Sequence, residues 1–466
     1  MQYIPELTWI LFLRILDERE TYELETARES GQQYCRSIES PYRWQDWASP
    51  QGCKRRELEK EGGLLTFVNN ELFPHLMSLG KRPDATPRQK IISEIISNIG
   101  LTRIDTDYNL ADALNKVDEI RSWDIEQRHI FPLSQVYEGL LARMGEKSSD
   151  GGQFFTPREI VRVIVRVIDP RPGEYIYDPC CGTGGFLVQA YEHMQEHHST
   201  GRVQKSVNLY GREKENLVYP LALANLVLHG IDEPHIWHGN TLTGDEIYGG
   251  LFQGVPNQFD VVLTNPPFGG KESKKAQDRF AFKSGSTQLL FLQHIIESLK
   301  PGGRCGMVVD EGLLFRTNEF AFVQTRRMLL ETCNVWCIVS LPIGAFANAG
   351  ASIKTNLLFF TKGQFTERVW FYDLSDVKVS KKNPLTIDHF SHFFQVLTDF
   401  SDSQRSWSVS RSDIEANGFS LKASNPNNQI QQDSRTLSEL ARLIEAKNAE
   451  IQRALDELVS YTSRLG

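Results

Sequence analysis

Residues 174–187, EYIYDPCCGTGGFL, join a short β-branched and aromatic run to a glycine turn and the start of an apolar helix. The run predicts a strand ending at Asp178. Gly182, Gly184 and Gly185 then let the chain turn tightly and bring its backbone close to a ligand. A dinucleotide loop would space its glycines G-x-G-x-x-G. Here the pattern is D-x-x-x-G-x-G-G, and the acid ending the next predicted strand, in LYGRE, is Glu213. Two carboxylates aimed at one crevice repel phosphates. They suit ribose hydroxyls and a cationic cofactor without a pyrophosphate, so Asp178, Gly182, Thr183, Gly184, Gly185 and Glu213 are expected to bind S-adenosylmethionine.

Outward from this turn, residues 151–365 alternate short apolar runs with helical segments. SVNLYG, EPHIWHG, FDVVLTN, RCGMVVD, VWCIVSL and NLLFFTK read as strands; GFLVQAYEHMQEHH, ENLVYPLALANLVLHG and STQLLFLQHIIESLK read as helices. That alternation predicts an α/β fold of βαβ units, a Rossmann-like parallel sheet covered on both faces, with ligands at the carboxyl ends of the strands. Residues 1–150 read as a helical domain. TWILFLRILDERE is apolar on nearly every side, and Thr86-Pro87 caps a run with Ile91, Ile92, Ile95, Ile96 and Ile99 that Gly100 stops. The stretch 28–62 is polar and turn-rich. Residues 366–433 form a mixed extension with a weak strand in RVWFYDL, and 434–466 read as a long helix. In that helix Leu437, Leu440, Ile444, Ile451, Leu458 and Leu465 lie near heptad positions, interrupted by Lys447.

FDVVLTNPPFGG sets Asn265-Pro266-Pro267-Phe268 directly after an apolar strand, 87 positions beyond Asp178. The exocyclic amine of adenine is a poor nucleophile because its lone pair is delocalised into the ring. The Asn265 side-chain oxygen and the Pro266 carbonyl can accept its two N–H groups and localise that pair for attack on a sulfonium methyl. Consecutive prolines hold the carbonyls in place at little entropic cost. Phe268 offers a stacking face for a base rotated out of a duplex. Asn265, Pro266, Pro267 and Phe268 are therefore the expected catalytic set.

In this order, Asp178–Gly185 followed by Asn265–Phe268 resembles the amino-methyltransferases of DNA. The wider set WILFLRILDE, GQFFTPREIV, DPCCGTGGFL, GREKEN, NLVLHG, NPPFGG, FLQHIIESLKPGGR, LPIGAFANAGASIKTNLLFFTKG and FSLKASNP is similar to the modification subunits of type I restriction-modification systems, along essentially the whole chain. The resemblance implies that Gln153, Phe154, Phe155, Thr156, Pro157 and Arg158 help cover the cofactor. Thr156 and Glu159 also have the spacing of a capping box with Pro157 at the first helical position. Asn240 stands where the family often has an acid near the cofactor adenine, Cys180-Cys181 replaces smaller residues, and Asp310 replaces a proline.

The formal charge of −8 excludes DNA binding by bulk positive charge. The loop GGKESKKAQDRFAFKSGS is locally basic through Lys271, Lys274, Lys275, Arg279 and Lys283, yet too short to read several base pairs. Sequence recognition is therefore expected from another chain. The resemblance implies a specificity subunit, two modification subunits to each, and a separate motor-nuclease subunit; no Walker A motif or nuclease cluster is found in this chain. The C-terminal helix is the expected docking element. The longest apolar run, Trp9–Leu13, is too short to cross a membrane, the N-terminus has no export signal, and seven cysteines suit a reducing cytoplasm. No metal centre is expected: His193, His197 and His198 read as a solvated helix face without a ligand from another element. Two other readings compete, a glutamine N5-methyltransferase of release factors, which shares N-P-P plus an aromatic, and a non-catalytic scaffold that retained the fold.

Overall fold

The computed structural model describes residues 4–120, 136–137, 139–141, 156–198, 207–250, 255–347, 353–380, 382–427 and 437–462. Gln153, Phe154 and Phe155 lie outside the described residues.

The helix Ile4–Glu29 buries Trp9 through Leu13 together with Ile15 and Leu16, as its all-round apolar sequence requires. Pro87–Ile99 begins at a capping box between Thr86 and Gln89 and ends at Gly100, whose φ of 76° only glycine adopts readily. The polar stretch before it forms two short helices, Trp44–Trp47 and Cys53–Glu61.

The described strands form one ten-stranded sheet. In chain order they are β1 (Tyr175–Asp178), β2 (Asn208–Glu213), β3 (His235–Asn240), β4 (Asp245–Gly250) and β5 (Phe259–Thr264). They continue with β6 (Leu299–Asp310), β7 (Cys333–Ser340), β8 (Thr355–Lys362), β9 (Arg368–Asp373) and β10 (Ser406–Ser410). The spatial order is β10-β9-β7-β8-β6-β5-β1-β2-β3-β4. From β6 through β5, β1 and β2 to β3 every pairing is parallel. The expectation of a wholly parallel sheet is corrected outside that block. β8 runs antiparallel to both β6 and β7, and β4 and β10 are antiparallel edges. The physical reason is what the connection contains. The 14 residues that join β7 to β8, 341–354, hold no long helix among those described, so no helical crossover carries the chain over the sheet and the return pairs antiparallel. Segment 366–433 adds β9 and β10 to this same sheet.

One apolar core under the sheet is built from helices Arg158–Ile168, Gly185–His198 and Tyr219–Leu228 and continues into the helical domain. The other face is covered by Thr287–Ser298 and Phe320–Thr332. Strand order reverses at β1, with β2 on one side and β5 on the other, which leaves a crevice at the carboxyl ends where ligands bind in such sheets.

A charge cluster joins the helical domain to the sheet domain. Arg88 places its guanidinium on Asp232 at 2.8–2.9 Å and on Glu23 at 2.8–3.1 Å, and Arg19 adds a second contact to Asp232 at 2.9 Å. Lysine carries the charge but not the fork. Arg88→Lys should therefore lose about 2–3 kcal/mol, below the ~3–5 kcal/mol of breaking a fully buried pair, because Asp232 is partly exposed and lysine keeps the charge. Calorimetry should record this as an earlier first unfolding transition.

Candidate functional site

Strands β1 and β5 lie side by side, so their carboxyl ends bring Asp178 and Thr264 together although 86 positions separate them. The Thr264 hydroxyl donates to Asp178 Oδ1 at 2.7 Å, and the same oxygen accepts from the Cys180 backbone N–H at 3.1 Å. Cys180 Sγ sits 3.1 Å from the Thr264 hydroxyl. Asp178 thus fixes the start of the glycine turn to the base of the Asn-Pro-Pro-Phe segment. Its carboxyl is 1% exposed, and burial raises its pKa to about 7 against the lowering effect of these two donors.

Within the turn Gly182 and Gly184 take φ of 54° and 80°, the left-handed region that the sequence pattern requires. Glu213, at the end of β2, accepts from the Gly182 N–H at 3.0 Å and from the Glu215 N–H at 2.8 Å. Burial raises its pKa to about 7 as well. Thr183 is held from behind, its carbonyl accepting from the buried Asn225 side chain at 2.9 Å. Both predicted carboxylates therefore brace the loop while lining the space in front of it.

That space consists of two adjoining clefts. The smaller, ≈ 370 Å³, is lined by Thr156, Arg158, Asp178, Cys180 to Thr183, Gly185 and Asn265. The larger, ≈ 830 Å³, has Glu213, Asn240 and Thr241 on one side and Pro267, Gly269 and Gly270 on another. Cys180 borders both, and the tetrapeptide spans from one to the other. A cofactor with a nucleoside end and an amino-acid end fits this division. The Arg158 guanidinium lies so close over Gly185 that any side chain there would collide with it.

Asn265 donates through Nδ2 to the Thr156 hydroxyl at 3.0 Å, which fixes the amide. Its Oδ1 is buried and, among the described residues, accepts no hydrogen bond. An amide oxygen left without a donor costs about 1–3 kcal/mol, and such a group is accounted for when an N–H supplied by a ligand completes it. Phe268 is half-buried and meets the edge of Phe346 at 5.7 Å in a T-shaped contact. Phe346, from the LPIGAFANAG segment, was not singled out in the sequence, and neither was Thr264. A hydroxyl one residue before the motif carries no signal until β1 and β5 are known to be neighbours.

Several expectations are corrected here. The Thr156–Glu159 capping box does not form: Pro157 occupies the cap position of Arg158–Ile168 without a side-chain bond. The Thr156 hydroxyl is taken by Asn265, and Glu159 accepts from Arg162 at 2.8 Å and from the Ile387 N–H at 3.0 Å. Tertiary partners outcompete the local cap. Cys181 is the small packed residue expected, but Cys180 faces the clefts. Burial raises both thiols well above their ordinary value, so neither is a thiolate nucleophile. Asn240 spends its side-chain oxygen on the backbone N–H groups of Leu242 and Thr243 at 2.9 and 3.3 Å. Asp310 caps the short helix that follows β6 by accepting from Leu313 N at 2.7 Å. In the basic loop, Arg279 points inward to the carbonyls of Thr241 and Leu242, and Lys283 pairs with Asp278 at 2.7 Å. The histidine face is not solvated throughout, because His193 is buried.

Known proteins resemble this chain along most of its length. A family model for the N-6 DNA methylases matches residues 127–435, and one for the HsdM N-terminal domain matches residues 1–117. The type I restriction enzyme EcoEI methylase subunit of Escherichia coli is 35% identical over 474 residues, covering 98% of this chain and 92% of its own. The StySPI methylase subunit of Salmonella potsdam is 30% identical, covering 84% of this chain and 71% of its own. Among solved structures, a chain of a type I R-M system studied for its assembly and conformational transition superposes with a TM-score of 0.71 at 36% identity, over 100% of this chain and 94% of that one. A modification subunit of a type I restriction enzyme from Vibrio vulnificus YJ016 superposes with 0.77 at 32% identity, over 91% of each.

Thr264→Val removes the donor on which Asp178 depends. At pH 8, where that buried carboxyl is ionised, stability should fall by about 1.5–3 kcal/mol, the worth of a hydrogen bond to a charged group. Thr264→Ser keeps the hydroxyl and should lose under about 1 kcal/mol for one methyl. Denaturant midpoints of the two variants measure the difference.

Proposed function

The chain belongs to the N-6 DNA methylase family, as a type I restriction-modification methylase subunit that methylates N6 of adenine in DNA, and from that premise we propose how its residues divide the work. The observation that carries the assignment is the buried, unpartnered Asn265 Oδ1 in the cleft that also holds the glycine turn. When bound, S-adenosylmethionine supplies an electrophilic methyl on a sulfonium centre. Gly182 to Gly185 let the backbone approach its amino-acid end, with Thr156, Pro157 and Arg158 on the opposite wall; Gln153, Phe154 and Phe155 belong to the same cover by family resemblance. Glu213 keeps lone pairs for the ribose hydroxyls beyond those it gives to Gly182 and Glu215. Asn240, its oxygen already used, contributes through its amide N–H groups.

The target adenine is rotated out of the duplex into the space beside Pro267, where Phe268 stacks on it. Asn265 Oδ1 and the Pro266 carbonyl accept the two hydrogens of the amine and draw its lone pair out of the ring. Asn265 and Pro266 would hold the amine in line with the sulfonium methyl of bound S-adenosylmethionine as the methyl passes from sulfur to nitrogen, and the proton released from nitrogen would go to water. No enzyme nucleophile is used, consistent with the protonated Cys180. The glutamine methyltransferase and scaffold readings lose support to the matches along the whole chain and to the unpartnered acceptor.

We further propose that the functional parts divide at 1–150, 151–365, 366–433 and 434–466, that two such subunits join one specificity subunit in the cytoplasm, and that a motor-nuclease subunit performs cleavage. Support for docking by the terminal helix comes from its surface. In Leu437–Thr462 the apolar residues Leu443, Ile444, Ile451 and Leu455 are all exposed, between 42% and 61%. Among the described residues no helix is long and apolar enough to cross a membrane.

Three outcomes test this assignment. Asn265→Ala should abolish methyl transfer to unmodified duplex DNA in the presence of the specificity subunit while S-adenosylmethionine still binds; retained activity refutes the acceptor role. A chain lacking 434–466 should elute apart from the specificity subunit on a sizing column. Cofactor binding should also follow the two raised acids. Asp178 and Glu213 take up protons as pH falls through about 7, and a sulfonium favours their ionised forms. The dissociation constant of S-adenosylmethionine should therefore rise several-fold from pH 8 to pH 6, and that of the uncharged thioether product should rise less. Calorimetric titration of both ligands across this range is the measurement.

A further inference from the structure

Away from the clefts, two helices end at one cluster of metal-binding groups. The helix Arg158–Ile168 closes on Asp169, held in the left-handed region at φ 51°. The helix Gly185–His198 carries His193 in its second half and His198 as its last residue. His193 Nε2 lies 2.8 Å from Asp169 Oδ1, and His198 Nε2 lies 2.7 Å from the same oxygen. The three donor atoms are all within 4.8 Å of one another. We propose that Asp169, His193 and His198 form a binding site for a divalent transition metal of the zinc class, one that clips these two helices together.

The donor set and its placement both support the site. Two imidazoles and one carboxylate are ligands that zinc, cobalt and nickel share. Metal–ligand bonds of about 2.0–2.1 Å in a tetrahedron put neighbouring donors ~3.4 Å apart. The observed separations of 2.7 and 2.8 Å are those of N–H···O bonds, so a cation entering between the groups needs each to retreat by little more than half an ångström. Ligation through Nε2 requires the ring proton on Nδ1, and the two Nε2–H···O bonds are exchanged for one dication.

The groups are also held in place before any metal arrives. Arg304, on β6, donates to the Ile168 carbonyl through Nε and to the Asp169 carbonyl through Nη2, both at 2.7 Å, and anchors the cap from a third element. His193 is buried, so its ring is held in place by the surrounding packing. His197 is not a ligand: it stacks on His193 at 4.4 Å and directs Nδ1 to the His193 carbonyl. Asp169 and His198 remain partly exposed, so water can fill the remaining coordination positions. Among the described residues Arg171 pairs with this carboxylate, at 3.4 Å from Oδ2 and not Oδ1, on a side chain exposed enough to swing away.

The position gives the clip a consequence. Both helices start at the cofactor crevice, one beside Thr156 and the other at Gly185, and run about 16–21 Å away from it at 1.5 Å per residue. A metal at their far ends fixes the angle between two walls of that crevice without touching the cofactor.

The test uses the full chain, stripped with a chelator and then dialysed against low-micromolar Zn²⁺, with bound metal counted by elemental analysis. Wild type should retain one equivalent and melt at a higher temperature with Zn²⁺ than without. Co²⁺ in its place should give the visible absorption bands of a low-coordinate site. Asp169→Asn removes the charge but tolerates the left-handed backbone, and His198→Ala removes a partly exposed ring. Each should weaken binding at least tenfold and abolish the zinc-dependent rise in melting temperature. If wild type retains no metal, or if both variants retain it as wild type does through the exposed Cys35 or Cys53, the proposal is overturned.

Discussion

A single buried carboxylate sets the geometry of the catalytic end of this molecule. Asp178 receives the hydroxyl of Thr264 and the N–H of Cys180 on one oxygen atom, and so ties the last residue of β1 to the last residue of β5. Methyl transfer tolerates little error in the distance between donor and acceptor. The glycine turn grows from one of these strands and the Asn-Pro-Pro-Phe segment from the other. Their separation is therefore fixed by two adjacent strands and one shared hydrogen-bond centre, not by the flexibility of either loop. Glu213 does the same on the other side, holding Gly182 from the end of β2.

Rigidity on that side contrasts with what is left incomplete. Asn265 is anchored through its nitrogen and unpartnered through its oxygen, an arrangement that spends folding free energy on a group useful only when a ligand's N–H arrives. The helical domain contributes at a distance. Its Arg19 and Arg88 grip Asp232, just beyond the helix that supplies Asn225, and Asn225 in turn holds the Thr183 carbonyl. The helix Tyr219–Leu228 and the turn after it thus carry polar contacts to the domain interface at one end and to the cofactor loop along its length.

The sequence made the parallel heart of the sheet legible because β1, β2, β3, β5 and β6 are each followed or preceded by an apolar helix of sufficient length. β4 and β10 were missed. DEIYGG and SWSVS are short and polar, and such edge strands are defined by the neighbour they pair with more than by their own composition. The two capping boxes make the same point from opposite sides. Thr86 is exposed, and Gln89 keeps Oε1 for the Thr86 N–H while its Nε2 reaches the Ser37 carbonyl, so this box forms beside a tertiary contact that leaves its acceptor free. Thr156 and Glu159 satisfy the same pattern, yet Asn265 and Ile387 claim them. Likewise, His193 and His198 could not be read as part of a cluster, since Asp169 lies 24 and 29 positions away and only the packing of two helices brings it near.

What the sequence determined by itself was chemistry: glycines where the backbone must turn with positive φ, an amide and two prolines after an apolar strand, and acids at strand ends. Those preferences are local and survive translation into any compatible fold. The tertiary structure alone decided which polar groups are already spent and which are free. Asn240 Oδ1 is consumed by its own turn, and Asn265 Oδ1 is open. That distinction depends on hydrogen-bond partners distant in the chain, because a buried group's availability is set by whatever donor the packing places within about 3 Å of it.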